Sequence, residues 1–207
     1  MASRREFLQA SIVALALPIT AQAGLSTAAA ASDSALRVIP LYKAIFDERF
    51  PASVAFGAEA HSLGLSAYSI RGDITDLWFH DLDAQWKKKP VAVAGLTEQG
   101  PLFCLERLAW DHGMRVVYRG DHRYLPSDAI EHTLTGPEGA LRQAALLEND
   151  GWAARVAAIL ARLPEGPSAP AKIAVRGRAK APAHAEPEDL ISWVIAPVAG
   201  ARIMRQA

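Results

Sequence analysis

Five polar residues carry most of the chemistry this sequence offers: Asp73, Thr75, Thr97, Asp121 and His122. Carboxylates and an imidazole exchange protons near neutral pH or lend lone pairs to a metal, and hydroxyls between them fix a ligand by hydrogen bonds. Asp73, Asp121 and His122 are the candidate catalytic groups, and Thr75 and Thr97 the candidate ligand-binding ones. Trp78, which follows the Asp73 loop directly, is the candidate aromatic floor of a pocket. The competing reading of Asp73 and Asp121 is that they cap turns or the helices that follow, where a carboxylate satisfies free backbone N–H groups. Arg-Gly-Asp occurs twice, at 71–73 and 119–121, and both copies read as turn chemistry at strand ends rather than as adhesion motifs.

Other chemistry is weaker. His80, Asp81 and Asp83, with His112 and His122, are metal-ligand types, but no pair has a recognised ligand spacing, and adjacent helical positions point about 100° apart. No metal site is assigned. Cys104 lies in the early turns of a helix, where a thiol is activated, yet Leu102, Phe103 and Leu105 around it imply a buried, inert packing residue. No nucleophile elbow, phosphate loop, paired cysteines or dinucleotide fingerprint occurs, so no cofactor is named. Gly95–Pro101 opens a helix that suits an anion, against which Glu98 acts. The five tryptophans, at 78, 86, 110, 152 and 193, mostly fall on helix faces and read as core residues.

The elements that must position these groups alternate. Leu36–Phe46 contains a first apolar run, and Pro51 starts a helix that stops at Gly64. Leu65–Ile70 reads as a strand ending at Arg71-Gly72-Asp73, and Leu77, Trp78, Leu82 and Trp86 recur at helical spacing. Val91–Ala94 is apolar on both faces, as a buried parallel strand requires. Leu105, Leu108, Ala109 and His112 line one helix face, which Gly113 closes, and Met114–Tyr118 is a strand ending at Arg119-Gly120-Asp121-His122. Ile130–Leu134 is a fifth strand, Pro137–Asn149 a helix, and Trp152, Val156, Ile159, Leu160 and Leu163 the stripe of another. Lys172–Val175 is expected to pair with Leu190–Ile195 as a small antiparallel addition at the sheet edge, and the residues after Pro197 to fray. Four strands with three intervening helices predict an open, mainly parallel α/β sheet, flavodoxin-like or Rossmann-like, with a C-terminal helical pair and that antiparallel extension. In such a sheet ligands bind at the carboxyl ends of the strands, which is where the five polar residues are expected to converge.

Composition sets outer bounds. Half the residues are hydrophobic, 22 basic residues balance 22 acidic ones, and there is one cysteine, so no internal disulfide forms. A balanced charge argues against nucleic acid as partner.

The first residues, Ser3-Arg4-Arg5-Glu6-Phe7-Leu8-Gln9, precede an uncharged stretch from Ala10 to Ala23 that is too short for a spanning helix, interrupted by Pro18. They resemble the twin-arginine export signal, with Arg4, Arg5, Phe7 and Leu8 on the family's pattern and Gln9 where a lysine is common. The resemblance covers about residues 1–31 and implies recognition by the twin-arginine translocase, delivery to the periplasm in a folded state, and removal of the segment. Ala21-Gln22-Ala23 and the alanines 28–31 offer two cleavage sites. The expected layout is a signal peptide over 1–31, an α/β domain over 36–163, and a Pro/Ala-rich arm with a C-terminal strand over 164–207, with no membrane span in the mature chain. The expected function is binding or transforming a small polar ligand at the strand ends. The alternative is a non-catalytic accessory protein that docks to an exported redox partner.

Overall fold

The computed structural model describes residues 37–126, 128–166, 170–178 and 189–198. The segment that resembles an export signal, residues 167–169 and 179–188 of the Pro/Ala-rich arm, and the residues after 198 lie outside them. Among the described residues, no helix is long and apolar enough to cross a membrane.

The first half of the chain builds a small parallel unit. Strand β1 (Leu41–Asp47) leads into α1 (Pro51–Ser62), with Pro51 at its first turn, and β2 (Ala67–Ile70) pairs with β1 in parallel. Residues 75–88 are helical in three registers: a single α turn, α2 (Thr75–Leu77), a widened π turn over Trp78–Leu82, and α3 (Asp83–Lys88). The widening has a packing reason, since it brings Leu77, Leu82 and Trp86, spaced by five and then four residues, to one buried face. β3 (Ala92–Thr97), buried along its whole length, pairs with β1 in parallel, and α4 (Gln99–Trp110) carries the chain onward.

From there the architecture departs from an open, mainly parallel sheet. β4 (Met114–Leu125) and β5 (Ala129–Pro137) form an antiparallel hairpin, with Asp128 in the left-handed region between them. The last described strand, β7 (Leu190–Pro197), inserts between β3 and β4 and pairs antiparallel with both. β6 (Pro170–Arg178) pairs with β5 and forms the far edge. Among the described residues the order is therefore β2-β1-β3-β7-β4-β5-β6, a mixed sheet with only two parallel pairs, and the flavodoxin-like or Rossmann-like expectation is overturned. The expected pairing of Lys172–Val175 with Leu190–Ile195 does not form either. The reason lies in Leu190-Ile191-Ser192-Trp193-Val194-Ile195, where almost no position is polar. Such a run suits a strand covered on both faces, hence a central place rather than an edge.

Two apolar layers flank the sheet. On one face Phe56 and Ala60 of α1 pack with Val156, Ala157 and Leu160 of α6 (Trp152–Leu160) over Ala94, Leu96, Tyr118, Ile130, Leu134 and Val194. On the other, Leu82 and Trp86 join Leu102, Leu105 and Ala109 of α4 over Ile45, Val93, Trp193 and Ile195. Gly95 is required where Trp193 leans over β3, because a Cβ there would stand 2.4 Å from the indole and 2.9 Å from the Ile45 carbonyl. In place of the expected single helix over 137–149 there is a short turn, α5 (Glu138–Leu141), and a 3-10 turn over Ala144–Glu148. The second helix of the expected pair is α6.

Candidate functional site

β4 is antiparallel to β7 and β7 antiparallel to β3, so β4 runs in the same direction as the parallel trio and the carboxyl ends of β1, β2, β3 and β4 share one edge. Strand register sets a row across that edge. Asp47 pairs with Ile70, Phe46 pairs with Leu96 and so levels Asp47 with Thr97, and Thr97 and Asp121 both pair with Ile191. Asp47, Thr97 and Asp121 thus stand side by side on one face of the sheet.

Two arginines tie this row into a crest. Asp47 is fully buried, and its carboxylate accepts from Arg49 Nε at 2.9 Å, Arg49 Nη2 at 2.6 Å and the Arg49 backbone N–H at 3.1 Å. The same Nη2 group reaches Glu98 at the end of β3. These carboxylates, Asp47 above all, raise the pKa of the guanidinium further. Behind Asp47, its backbone N–H donates to Ser53 Oγ at 2.8 Å, and the Ser53 hydroxyl donates to the Leu96 carbonyl, which locks α1 onto β1 and β3. Further along, Arg119 donates to Asp121 from Nε and Nη2, at 3.0 and 2.7 Å, and from Nη2 to Gln99 Oε1 at 2.9 Å. The Arg49 guanidinium also lies against Gly72, whose φ of 79° makes the tight exit from β2. Groups from all four parallel-running strands therefore meet in one line of alternating charge.

The structure distributes the expected site residues unevenly. Asp73 and Thr75 bond each other on the exposed β2 exit: Asp73 Oδ1 accepts from the Thr75 hydroxyl at 2.7 Å and from its N–H at 2.9 Å, and these bonds hold the Asp73 carboxyl below its usual pKa. This is the turn-capping arrangement. Thr97 is buried, its hydroxyl accepting from the Trp193 indole N–H at 3.0 Å and donating to the Glu98 carbonyl at 2.9 Å. Asp121 lies on the crest, but Arg119-Gly120-Asp121-His122 is mid-strand and not an exit loop, so the turn reading of that second tripeptide is corrected. Because successive side chains in a strand point to opposite faces, His122 lies on the far side of the sheet from Asp121. Trp78 is half-buried and packs against Trp86 and His112, with ring centroids 5.8 and 6.3 Å away. His112 stands just ahead of the first residue of β4, so Trp78 reaches toward the amino end of the strands.

Cys104 is exposed, which corrects the expectation of a buried packing residue. Among the tryptophans, Trp110 is 43% exposed, with the Arg107 and Arg115 guanidinia stacked on its ring. The residues considered as metal ligands part company: Asp81 binds Lys43 and Tyr42, Asp83 binds Lys87, and His80 turns to the Asp76 carbonyl. No cluster of three ligand-type side chains occurs among the described residues.

His122 belongs to a second polar group, inside the core. Its Nδ1 lies 2.7 Å from His132 Nδ1 on β5 and its Nε2 2.8 Å from Ser192 Oγ on β7, and all three residues are fully buried. Trp152 covers both rings, at centroid distances of 4.5 and 5.2 Å. The arrangement has the order of a serine activated by a histidine that a second group orients, yet Ser192 has no exposed surface on which to meet a substrate. Reading the sequence alone misses Arg49, Asp47, His132 and Ser192. The Asp47-Glu48-Arg49 run after an apolar stretch resembles the other strand exits and was available as a signal, whereas Ser192 and His132 come together only through the register of β7 and β5.

Comparison with protein-family profiles, curated proteins and solved structures finds no match to this chain, so its functional reading rests on the geometry of the crest.

Proposed function

We propose that this chain is exported to the periplasm by the twin-arginine route and there binds a small polar ligand along the crest at the carboxyl edge of its parallel strands. The observation that carries the binding half is the line Asp47–Arg49–Glu98 and Gln99–Arg119–Asp121, in which both guanidinia are oriented by carboxylates and remain part exposed. Arginines held in place this way lose little freedom when a ligand arrives, and the flanking carboxylates offer acceptors to its donors. A ligand carrying both an anionic and a donor group fits this alternation.

Calorimetric titration of the purified chain against amino acids, hydroxy acids and sugar acids tests this reading. A ligand bound by the native chain is expected to bind at least roughly tenfold more weakly to Arg119→Gln. Unchanged affinity in that variant, or no binding across the panel, removes the crest as a site. The delivery half is tested separately, by fractionating cells that express Arg4→Lys/Arg5→Lys. Export of that variant at the native level would sink it.

The accessory reading is favoured by a different observation. On α4, Phe103, Arg107 and Trp110 share one outward face, with Phe103 56% exposed. An apolar surface of that kind suits a partner protein.

A further inference from the structure

The buried histidine pair has a property that its geometry fixes. Two ring nitrogens 2.7 Å apart can share one proton, as donor and acceptor, but cannot both carry one. On its other side His122 bonds Ser192. Among the described residues, His132 Nε2 and the hydroxyl of Tyr118, two residues before Gly120, are buried and make no hydrogen bond of good geometry; Gly120 pairs with Ser192. Over this polar pocket lie Trp152, at the start of α6, and Leu147, in the 3-10 turn. Gly151, immediately before α6, has a φ of 77°. The layer that covers the histidines is thus attached through a left-handed glycine and rests on two imidazoles.

We infer that the His122–His132 pair is an acid-sensitive latch, which holds α6 and the 3-10 turn on the sheet while the rings share a single proton and releases that layer when both are protonated. The surroundings favour the neutral rings. The titratable groups facing the pair are the phenols of Tyr118 and Tyr124 on β4, both pushed up in pKa by burial. From the 3-10 turn the Leu147 carbonyl faces His132 and favours its protonated form. Among the described residues no carboxylate bears on either ring. Glu131 of β5 is paired with Arg123 and Arg176 on the opposite face, Arg155 of α6 reaches the Asp150 carbonyl, and Glu148 is exposed. Burial, reinforced by the charge of its partner ring, puts His122 well below its usual 6.5, and burial pushes His132 down to about 4.

The sign follows from linkage. Both pKa values are depressed in the folded state, so the unfolded chain takes up protons first as pH falls through 6.5. Stability is full above that pH and is lost progressively toward 4. Two such groups raise the unfolding constant roughly sixtyfold between pH 6 and 5.

Urea unfolding of the full chain from pH 7 to 5 is the test, with hydrogen exchange as the local readout. Loss of stability at about that slope, with α6 amides exchanging in acid before those of β1 and β3, supports the latch. His132→Gln and His122→Gln are each expected to cut the slope to roughly tenfold per unit. A flat profile, or native slopes in both variants, overturns the proposal. Should neither variant fold, the imidazole resonances of the native chain decide: rings neutral at pH 5 support the latch, and titration near 6.5 overturns it.

Discussion

Thr97 illustrates how a residue picked for chemistry serves structure. Its hydroxyl accepts from the Trp193 indole N–H inside the core and donates a hydrogen bond to the Glu98 carbonyl. Thr97→Val keeps the shape and removes both bonds, leaving a buried N–H with no acceptor. That substitution is expected to cost about 1–3 kcal/mol in urea unfolding, with the indole fluorescence of Trp193 altered. A loss within error of zero would mean that the indole finds another partner. At this scale the sequence was legible in part. Capping of a turn by Asp73 was open as the competing reading, because an Asx turn is local, but the sequence did not show that Thr75, expected to bind a ligand, is the residue it bonds. The exposure of Cys104 was not visible, since its neighbours Leu102 and Leu105 are indeed buried while Phe103 turns out to solvent. A mixed apolar run does not say which side of a helix a residue takes.

The strand exits show the same division one level up. Expecting Asp121 and His122 to act together required β4 to end at Tyr118. The strand instead runs to Leu125, because β5 supplies a hairpin partner in which Ile130 and Leu134 alternate with Glu131 and Thr133. Continuation of a strand past Gly120 reverses the face of every second residue, and a one-residue difference separates the crest from the core. Conversely, Asp47 gains its place from β1 alone, and the energetics there are testable. Arg49→Met leaves the Asp47 carboxylate fully buried with no counter-charge. Removing one partner of a buried ion pair costs roughly 3–5 kcal/mol, and since Arg49 is part exposed the expected loss is about 2 kcal/mol. Denaturant unfolding at neutral pH measures it. The Asp47→Asn/Arg49→Met double variant should recover part of the loss, and a double variant less stable than Arg49→Met would show that the charge is not what destabilises.

At the scale of the whole molecule, the strand nearest the end of the described chain is the fourth of seven in the sheet. β7 separates β3 from β4 and pairs with both, joining Thr97 to Ile191 across 94 positions of sequence, and it carries Ser192 to the histidines and Trp193 to Thr97. Local periodicity identified Leu190–Ile195 as a strand but could not rank it against the crossover rule, which brings β3 and β4 together as neighbours when nothing is inserted. A sheet with this order cannot close until Pro197 has been made, so contacts of high sequence separation come last and the unfinished chain exposes the edges of β3 and β4. The proposed export in a folded state would suit such a chain, because threading it unfolded would postpone the central pairing until after passage. The consequence is sharp for truncation. A chain ending at residue 189 keeps every described helix and six of the seven described strands, yet loses the buried faces of Leu190, Trp193, Val194 and Ile195 on both sides of the sheet. It is expected to give no cooperative urea transition and to collect in the insoluble fraction, whereas a chain ending at residue 198 should unfold with the stability of the full one. A sharp transition in the shorter chain would mean that β3 and β4 can pair directly, and that the parallel sheet predicted by the sequence is an accessible alternative to the mixed one.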